Sequence, residues 1–202
     1  MKTQYPLREK RKQQIRSDLL LAATDLFAER GYEQTTLTAV ADQAGIHVQT
    51  LYRHFPTKAD FIAELWRESL LAFEQFFVAR ECDSLTQWRN WVELQALRLT
   101  REGDAEYRES QTFWQIPYVS SKTFDFWFRY QEVLAEGIAQ DMGVDVKDDP
   151  LPMLIATMLW GGNSNATRNW VTSGTNDDFS KVILNIVDTV IDQFRHLVVK
   201  VK

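Results

Sequence analysis

The sequence predicts an all-α protein, and three observations support that prediction. Apolar residues recur three and four positions apart along most of the chain, which is the period of an amphipathic helix. Strict alternation of polar and apolar residues, which marks a half-buried strand, is nearly absent. Glycine, proline and capping residues divide the chain into segments of helical length. We therefore expect a protein built from packed helices.

The first three predicted helices form a helix-turn-helix arrangement. They are expected at about 8–30, 37–44 and 48–55. Gly31 supplies the left-handed stop after the first helix, Thr36 is the expected N-cap of the second, and His47 is the expected N-cap of the third. Gly45 turns the chain between the two short helices. In such a motif the second short helix enters the major groove of DNA.

A long fourth helix is expected to join this unit to the rest of the chain. Pro56 ends the third helix, and Thr57 can cap a helix from about 58 to 80. Further helices are expected at about 84–101, 105–115, 121–141, 150–172 and 177–199. No flexible linker is evident, so we predict two rigidly joined domains, a DNA-binding domain over 1–60 and a ligand-binding and dimerisation domain over 61–202.

The third helix has one apolar flank and one polar flank. At 100° per residue, Val48, Leu51 and Phe55 fall together and are expected to face a core. The opposite flank carries Gln49, Thr50, Arg53 and His54, and Tyr52 lies at the edge, half-buried with its hydroxyl outside. Gln, Thr, Arg and His can read base edges or hold phosphates, whereas an ordinary solvated face carries Lys and Glu.

The charge distribution is consistent with a DNA-reading end on an acidic body. The formal net charge is −5, yet residues 1–60 hold nine Lys and Arg against seven Asp and Glu, or +2, which leaves −7 for the rest. A solvated basic tail is an equally good explanation of the charge alone. Cys82 is the only cysteine, and no signal peptide or membrane-spanning run is evident. We therefore expect a cytoplasmic protein with no membrane partner.

The run GYEQTTLTAVADQAGIHVQTLYRHFPTKADF, from Gly31 to Phe61, resembles the DNA-binding domain of the tetracycline-repressor (TetR) family. Its most specific part is Thr-Leu-Tyr-Arg-His-Phe at 50–55, followed by Lys58. The resemblance implies a homodimeric transcription factor, most often a repressor that a small molecule releases from its double-stranded DNA operator. It also implies these DNA-binding residues: Thr36, Thr38, His47, Gln49, Thr50, Tyr52, Arg53, His54 and Lys58. The family usually has serine where His47 stands, so His47 either caps the helix less firmly or itself meets a phosphate.

The predicted 61–202 domain is rich in aromatic residues, which could line a ligand pocket or only fill a core. The pocket candidates are Trp88, Trp91, Phe113, Trp114, Phe124, Trp127 and Phe128. They favour a small apolar or aromatic ligand. The segment from 111 to 143 loosely resembles family members that sense acyl-CoA or related fatty ligands.

The last helix carries an apolar stripe wider than one side of a terminal helix usually needs. Together with small residues in 150–172, this stripe predicts half of an intermolecular four-helix bundle. The expected dimer-interface residues are Ala156, Gly161, Ile183, Ile186, Val187, Val190, Ile191 and Phe194. Burial of the same helix within its own protomer is the alternative.

An enzyme or an all-α small-molecule-binding protein without DNA binding is the rival function. No metal-ligand spacing or glycine-rich phosphate loop is evident, Cys82 has no obvious base, and two of the three histidines lie in the helix-turn-helix. A helical interaction protein that has lost DNA contact would leave the polar flank of the third helix idle. The sequence therefore favours a DNA-binding regulator that is not an enzyme, with no cofactor and no metal.

Overall fold

The computed structural model describes residues 5–100, 121–173 and 178–198, which form eight α-helices and one short 3₁₀ helix, with no β-strand among them. The helices are α1 Tyr5–Arg30, α2 Leu37–Gln43, α3 Val48–His54, α4 Lys58–Val78, α5 Ser84–Thr100, α6 Ser121–Met142, α7 Leu151–Ser173, α8 Phe179–Phe194 and the 3₁₀ helix Arg195–Leu197. The all-α prediction is confirmed, and the described helices end within a few residues of their expected limits. The helix predicted at 105–115 lies outside the described residues.

Local capping explains where the N-terminal helices begin and end. Gly31 and Gly45 adopt positive φ angles of 84° and 64°, which glycine tolerates because it has no Cβ. The Thr36 hydroxyl accepts a hydrogen bond from the backbone N–H of Ala39 at 3.1 Å. At the start of α4, the Asp60 carboxylate accepts hydrogen bonds from the backbone N–H and the hydroxyl of Thr57. These contacts satisfy donors that a helix start leaves open.

The core of the N-terminal unit continues into α4. Leu26 of α1, Val40 of α2 and Leu51 of α3 are buried in one apolar cluster. Phe55 stacks on Phe61 of α4, with ring centroids 3.9 Å apart. The N-terminal helices therefore pack against the first turn of α4. Because of this packing, a movement of α4 can change the position of α3.

The remaining helices pack around aromatic residues on α4 to α7. The α4 helix packs against α6, α6 against α7, and both α5 and α7 against α8. Phe73 of α4 contacts the rings of Trp91 and Tyr130, and Tyr130 stacks on Trp160 with centroids 4.2 Å apart. Aromatic pairs of this kind add to the burial of apolar area.

A buried ion pair fastens the α4–α5 connection to α6. The Arg80 guanidinium donates to both oxygens of Asp141 at 2.8 Å, and the same carboxylate accepts from the backbone N–H of Ser84. Gly137 passes close to this point, because a Cβ placed there would lie 2.6 Å from Ser84 Oγ. The junction of the three helices is therefore closely packed and polar.

Four of the eight residues predicted for the dimer interface are buried within a single protomer. Ala156, Ile183, Val187 and Ile191 are at most 1% exposed, so they have no surface left to bury against a partner. They pack between α5, α7 and α8, which accounts for the unusual width of the stripe. The other predicted residues, Gly161, Ile186, Val190 and Phe194, are partly exposed.

Candidate functional site

The α3 helix presents polar side chains to solvent while its apolar flank is buried. Six of the nine residues predicted to contact DNA are exposed, namely Thr36, Thr38, His47, Gln49, Tyr52 and Arg53, and the other three, Thr50, His54 and Lys58, are partly buried. Tyr52 is 48% exposed, in agreement with its expected position at the edge of the two flanks. The contact of these residues with DNA stays a prediction.

His47 caps α3 despite being an unusual residue for that role. Its backbone is extended, and its Nδ1 atom accepts a hydrogen bond from the backbone N–H of Gln49 at 3.3 Å. The predicted cap is therefore confirmed. Because Nδ1 is the acceptor, the imidazole has its proton on Nε2, which is free to donate to an incoming anion.

Lys58 has partners within the protein that the sequence did not indicate. Its Nζ atom donates to the backbone carbonyls of Tyr32 and Glu33 at 2.8 and 3.0 Å, and it lies 4.6 Å from the centroid of the Tyr32 ring. A cation at the start of a helix is unfavourable to the helix dipole. The two carbonyls already offset that cost. Lys58 therefore fastens α4 to the α1–α2 connection in this structure.

Arg16 of α1 holds the C-terminal end of α3, and the sequence reasoning missed it. Its guanidinium donates to the backbone carbonyl of His54 at 3.3 Å and lies 4.4 Å from the centroid of the Phe55 ring. Burial lowers the pKa of His54, and the positive charges of Arg16 and Lys12 lower it further. The His54 imidazole is therefore neutral near pH 7 and can donate only one hydrogen bond to a phosphate.

Glu64 of α4 connects Arg16 to the helix that leaves the N-terminal unit. Its buried carboxylate accepts from the Nε atoms of Arg16 and Arg67, each at 3.1 Å. Burial alone would raise the pKa of Glu64, but hydrogen bonds from Arg67 and Arg16 outweigh it and lower the pKa to about 2. The signal in the sequence was an acidic residue inside the apolar stretch Phe-Ile-Ala-Glu-Leu-Trp, at 61–66.

A cavity of about 260 Å³ lies between α4, α5, α6, α7 and α8. Its apolar lining is Leu65, Ala72, Trp91, Val92, Ala96, Leu99, Trp160, Phe179 and Ile183, and its polar lining is Glu68, Ser69, Gln95, Arg98, Tyr130, Asn163 and Thr167. A concave site lined mostly by apolar side chains with a few polar groups is typical of small-molecule binding.

Of the four predicted pocket residues whose side chains the structure describes, one lines this cavity. Trp91 does so, whereas Trp88 is fully buried against Phe73 and Trp160 and is a core residue. Trp127 packs against Trp66 and Trp160 beside the cavity, and Phe128 is 51% exposed. These three residues therefore do not line this cavity, and their predicted contact with a ligand stays a prediction. Phe113, Trp114 and the Phe124 side chain lie outside the described part of the chain.

The residues that do line the cavity are spread over five helices, so no local pattern marked them. Helical periodicity shows that Trp160 and Ile183 are buried, but it does not show which buried residues border a gap. Gln95 carried a signal, since it is a polar residue between the apolar positions Val92 and Ala96.

Two other kinds of site were sought among the described residues. There, no group of three or more His, Cys, Asp or Glu side chains could hold a metal ion. None of the described helices has the length and apolarity that crossing a membrane requires.

Comparison with known proteins shows which protein family the N-terminal helices match. Residues 19–65 match the family described as "Bacterial regulatory proteins, tetR family". Across 183 residues, the chain is 25% identical to the HTH-type transcriptional regulator TcmR of Streptomyces glaucescens, covering 85% of this chain and 79% of TcmR. It is 36% identical over 97 residues to the HTH-type transcriptional repressor KstR2 of Mycobacterium tuberculosis, covering 48% of this chain and 46% of KstR2.

The fold as a whole is similar to that of a solved regulator. FadR of Bacillus subtilis, solved in complex with stearoyl-CoA, matches with a TM-score of 0.65, covering 87% of this chain and 97% of FadR. The two sequences are 18% identical, so the likeness concerns the fold.

Proposed function

We propose that this chain, which belongs to the tetracycline-repressor (TetR) family of DNA-binding transcriptional regulators, acts as a cytoplasmic homodimeric repressor that a small, mostly apolar ligand releases from its operator. The exposed polar flank of α3, with Gln49, Tyr52 and Arg53 facing solvent, is the single observation on which the DNA-binding part rests. The ligand part rests on the cavity between α4 and α8.

The apolar flank of α3 positions the helix, and its polar flank supplies the side chains that contact DNA. Leu51 and Phe55 hold the helix on the core, and Arg16 holds its last carbonyl, so the helix has a fixed position. Gln49 and Arg53 are exposed side chains with the donors that read base edges in the major groove. Tyr52 and Thr50 supply hydroxyls that suit phosphate oxygens.

Replacing Arg53 with alanine tests this division. We expect the Arg53→Ala protein to bind its operator more weakly by about 1–3 kcal/mol and to lose preference at one base pair, because a bidentate arginine contact specifies guanine. Tyr52→Phe should weaken binding to all sequences alike, since a phosphate contact positions the protein without specifying a base. The measurement is affinity for the operator and for its single-base-pair variants at one fixed salt concentration.

Lys181→Ala is the matched control, since this lysine is exposed on α8, far along the chain from α3, and forms an ion pair with Asp178 of the same helix start. It should leave both affinity and base preference unchanged. Uniform weakening across all operator variants by Arg53→Ala would contradict the base-reading role.

We propose α7 and α8 as the dimer interface, through the side that remains exposed. Leu154, Met158 and Val182 are 53%, 42% and 43% exposed, although apolar side chains of this size favour burial. Ile186 of α8 lies beside Gly162 of α7, where an added Cβ would make ordinary van der Waals contact with it at 3.9 Å. Pairing this side with a second copy would form a four-helix bundle.

A ligand in the cavity would release the protein from its operator by displacing α4. Leu65 and Ser69 of α4 line the cavity, while Glu64 on the same helix holds Arg16, which in turn holds the His54 carbonyl. A ligand that shifts α4 therefore moves the partner of α3, and in a dimer it changes the separation of the two recognition helices. The ligand must bind the DNA-incompetent state better than the competent one. A coupling of about 1–3 kcal/mol weakens operator affinity roughly 5- to 150-fold.

A further inference from the structure

Two hydrogen-bond donors in the cavity wall have no partner. The Nε2 atom of Gln95 and the Nε1 atom of Trp160 are buried, and neither has a hydrogen-bond acceptor among the residues that the structure describes. Both residues line the cavity, and Trp160 is only 4% exposed. A buried donor without an acceptor costs free energy, so each such group in a folded protein calls for an explanation.

Two hydroxyl groups of the cavity wall already have partners within the protein. The Tyr130 hydroxyl donates to Ser69 Oγ at 2.7 Å, and the Thr167 hydroxyl donates to the backbone carbonyl of Asn163 at 2.8 Å. Among the described cavity residues, Gln95 Nε2 and Trp160 Nε1 are fully buried side-chain atoms that lack such a partner. Both are neutral N–H donors, so an oxygen acceptor can satisfy them without adding a charge to the site.

The charged residues of the lining do not favour a charged ligand group beside these two donors. Glu68 is exposed, and burial and the negative charge of Glu64 raise its pKa. Arg98 is partly exposed. Both therefore reach water, whereas Trp160, Leu99 and Ile183 are buried parts of the lining. An ion placed there would lose its hydration without a charged partner.

We propose that the cavity binds a mostly apolar molecule carrying a neutral oxygen acceptor, such as a ketone, ester or thioester carbonyl, which accepts a hydrogen bond from Gln95 or Trp160. The proposal rests on the ligand-binding function proposed above and defines its chemistry further. The apolar body of the molecule lies against the aliphatic and aromatic lining, and the carbonyl satisfies a donor that the empty protein leaves unpaired.

A matched pair of probes tests the proposal. Acetylnaphthalene carries a carbonyl, and isopropenylnaphthalene has the same shape with a methylene group in place of the oxygen. We expect the full-length protein to bind acetylnaphthalene about tenfold more tightly, as one added hydrogen bond to a buried donor allows. Isothermal titration calorimetry without DNA measures both affinities.

Substitutions of Gln95 and Trp160 identify which donor binds the ligand carbonyl. Gln95→Leu and Trp160→Phe each remove a donor while keeping an apolar side chain, and at least one of them should abolish the preference for acetylnaphthalene. Trp88→Phe is the matched control, because Trp88 Nε1 is also buried without a partner but does not line the cavity. This variant should keep the preference. Circular dichroism checks that each variant is folded.

Three results would overturn the proposal: equal affinity for the two probes, an unchanged preference in both cavity variants, or no binding of either probe. Equal affinity would mean that water, rather than a ligand, satisfies the donors. Release from the operator is measured separately, as the change in operator affinity when acetylnaphthalene is added. A protein that prefers acetylnaphthalene but keeps its operator affinity would retain this inference and contradict ligand release.

Discussion

Replacing Met158 with aspartate is expected to separate the dimer into monomers and to abolish operator binding. Met158 is 42% exposed in one protomer, so the carboxylate can stay in water and the protomer can fold. In the proposed four-helix bundle the same carboxylate would be buried without a partner, once on each side of the two-fold axis. An uncompensated buried charge costs about 3–5 kcal/mol, which is more than 100-fold in the dimer dissociation constant.

Sedimentation velocity and operator binding measure the two effects of this substitution. Val78→Asp is the control, because Val78 is 87% exposed at the end of α4, outside the proposed interface, and should leave the dimer intact. Val182→Asp on α8 should behave like Met158→Asp. A folded dimer in both Met158→Asp and Val182→Asp would place the interface elsewhere.

Replacing Glu64 with glutamine is expected to lower both stability and operator affinity. The neutral amide leaves Arg16 and Arg67 without their shared carboxylate, and Arg16 no longer holds the His54 carbonyl in place. We expect a loss of about 2 kcal/mol, less than for a fully buried pair because both arginines partly reach water. For a chain of this length that loss lowers Tm by about 4–8 °C.

Calorimetry and operator titration test the Glu64 substitution. Glu81→Gln is the matched control, since it removes the same charge from an exposed position near the end of α4 and should change neither quantity. An unchanged Tm together with unchanged operator affinity in Glu64→Gln would contradict the proposed route from α4 to α3.

The stabilising effect of Glu64 should depend on pH. Its pKa in the folded protein is about 2, below the ordinary value of 4.5, so the unfolded chain binds the proton more readily. The contribution is therefore fully present above pH 4.5 and is lost as the pH falls towards 2. Urea unfolding at pH 7 and pH 3 should show the difference between wild type and Glu64→Gln shrinking at the lower pH.

The N-terminal part of the fold could be predicted because its determinants are local. Positive φ at Gly31 and Gly45 and the caps at Thr36 and His47 depend on a few consecutive residues. The polar flank of α3 follows from helical period alone. The Arg16–Glu64 contact joins residues 48 positions apart, and helical period does not show that they meet.

The interface and the cavity could be predicted only in part, because both depend on which helices meet. The apolar stripe of α8 was read as one surface, but Ile183 and Val187 face α5 and α7 of the same protomer, and Ile186 lies on another side. Aromatic content likewise indicated a pocket, but Trp88 fills the core while Gln95 and Trp160 border the gap.

Selection of genomic fragments by the purified protein, followed by footprinting of the enriched sequence, tests the central claim most directly. The account predicts a near-palindromic site protected by two protomers, with half-sites about one helical turn apart, on the order of 34–36 Å, or further if the domains swing. It also predicts that the Met158→Asp protein leaves the site unprotected. No enriched fragment, or protection of a single asymmetric half-site by the wild type, would contradict a homodimeric DNA-binding regulator.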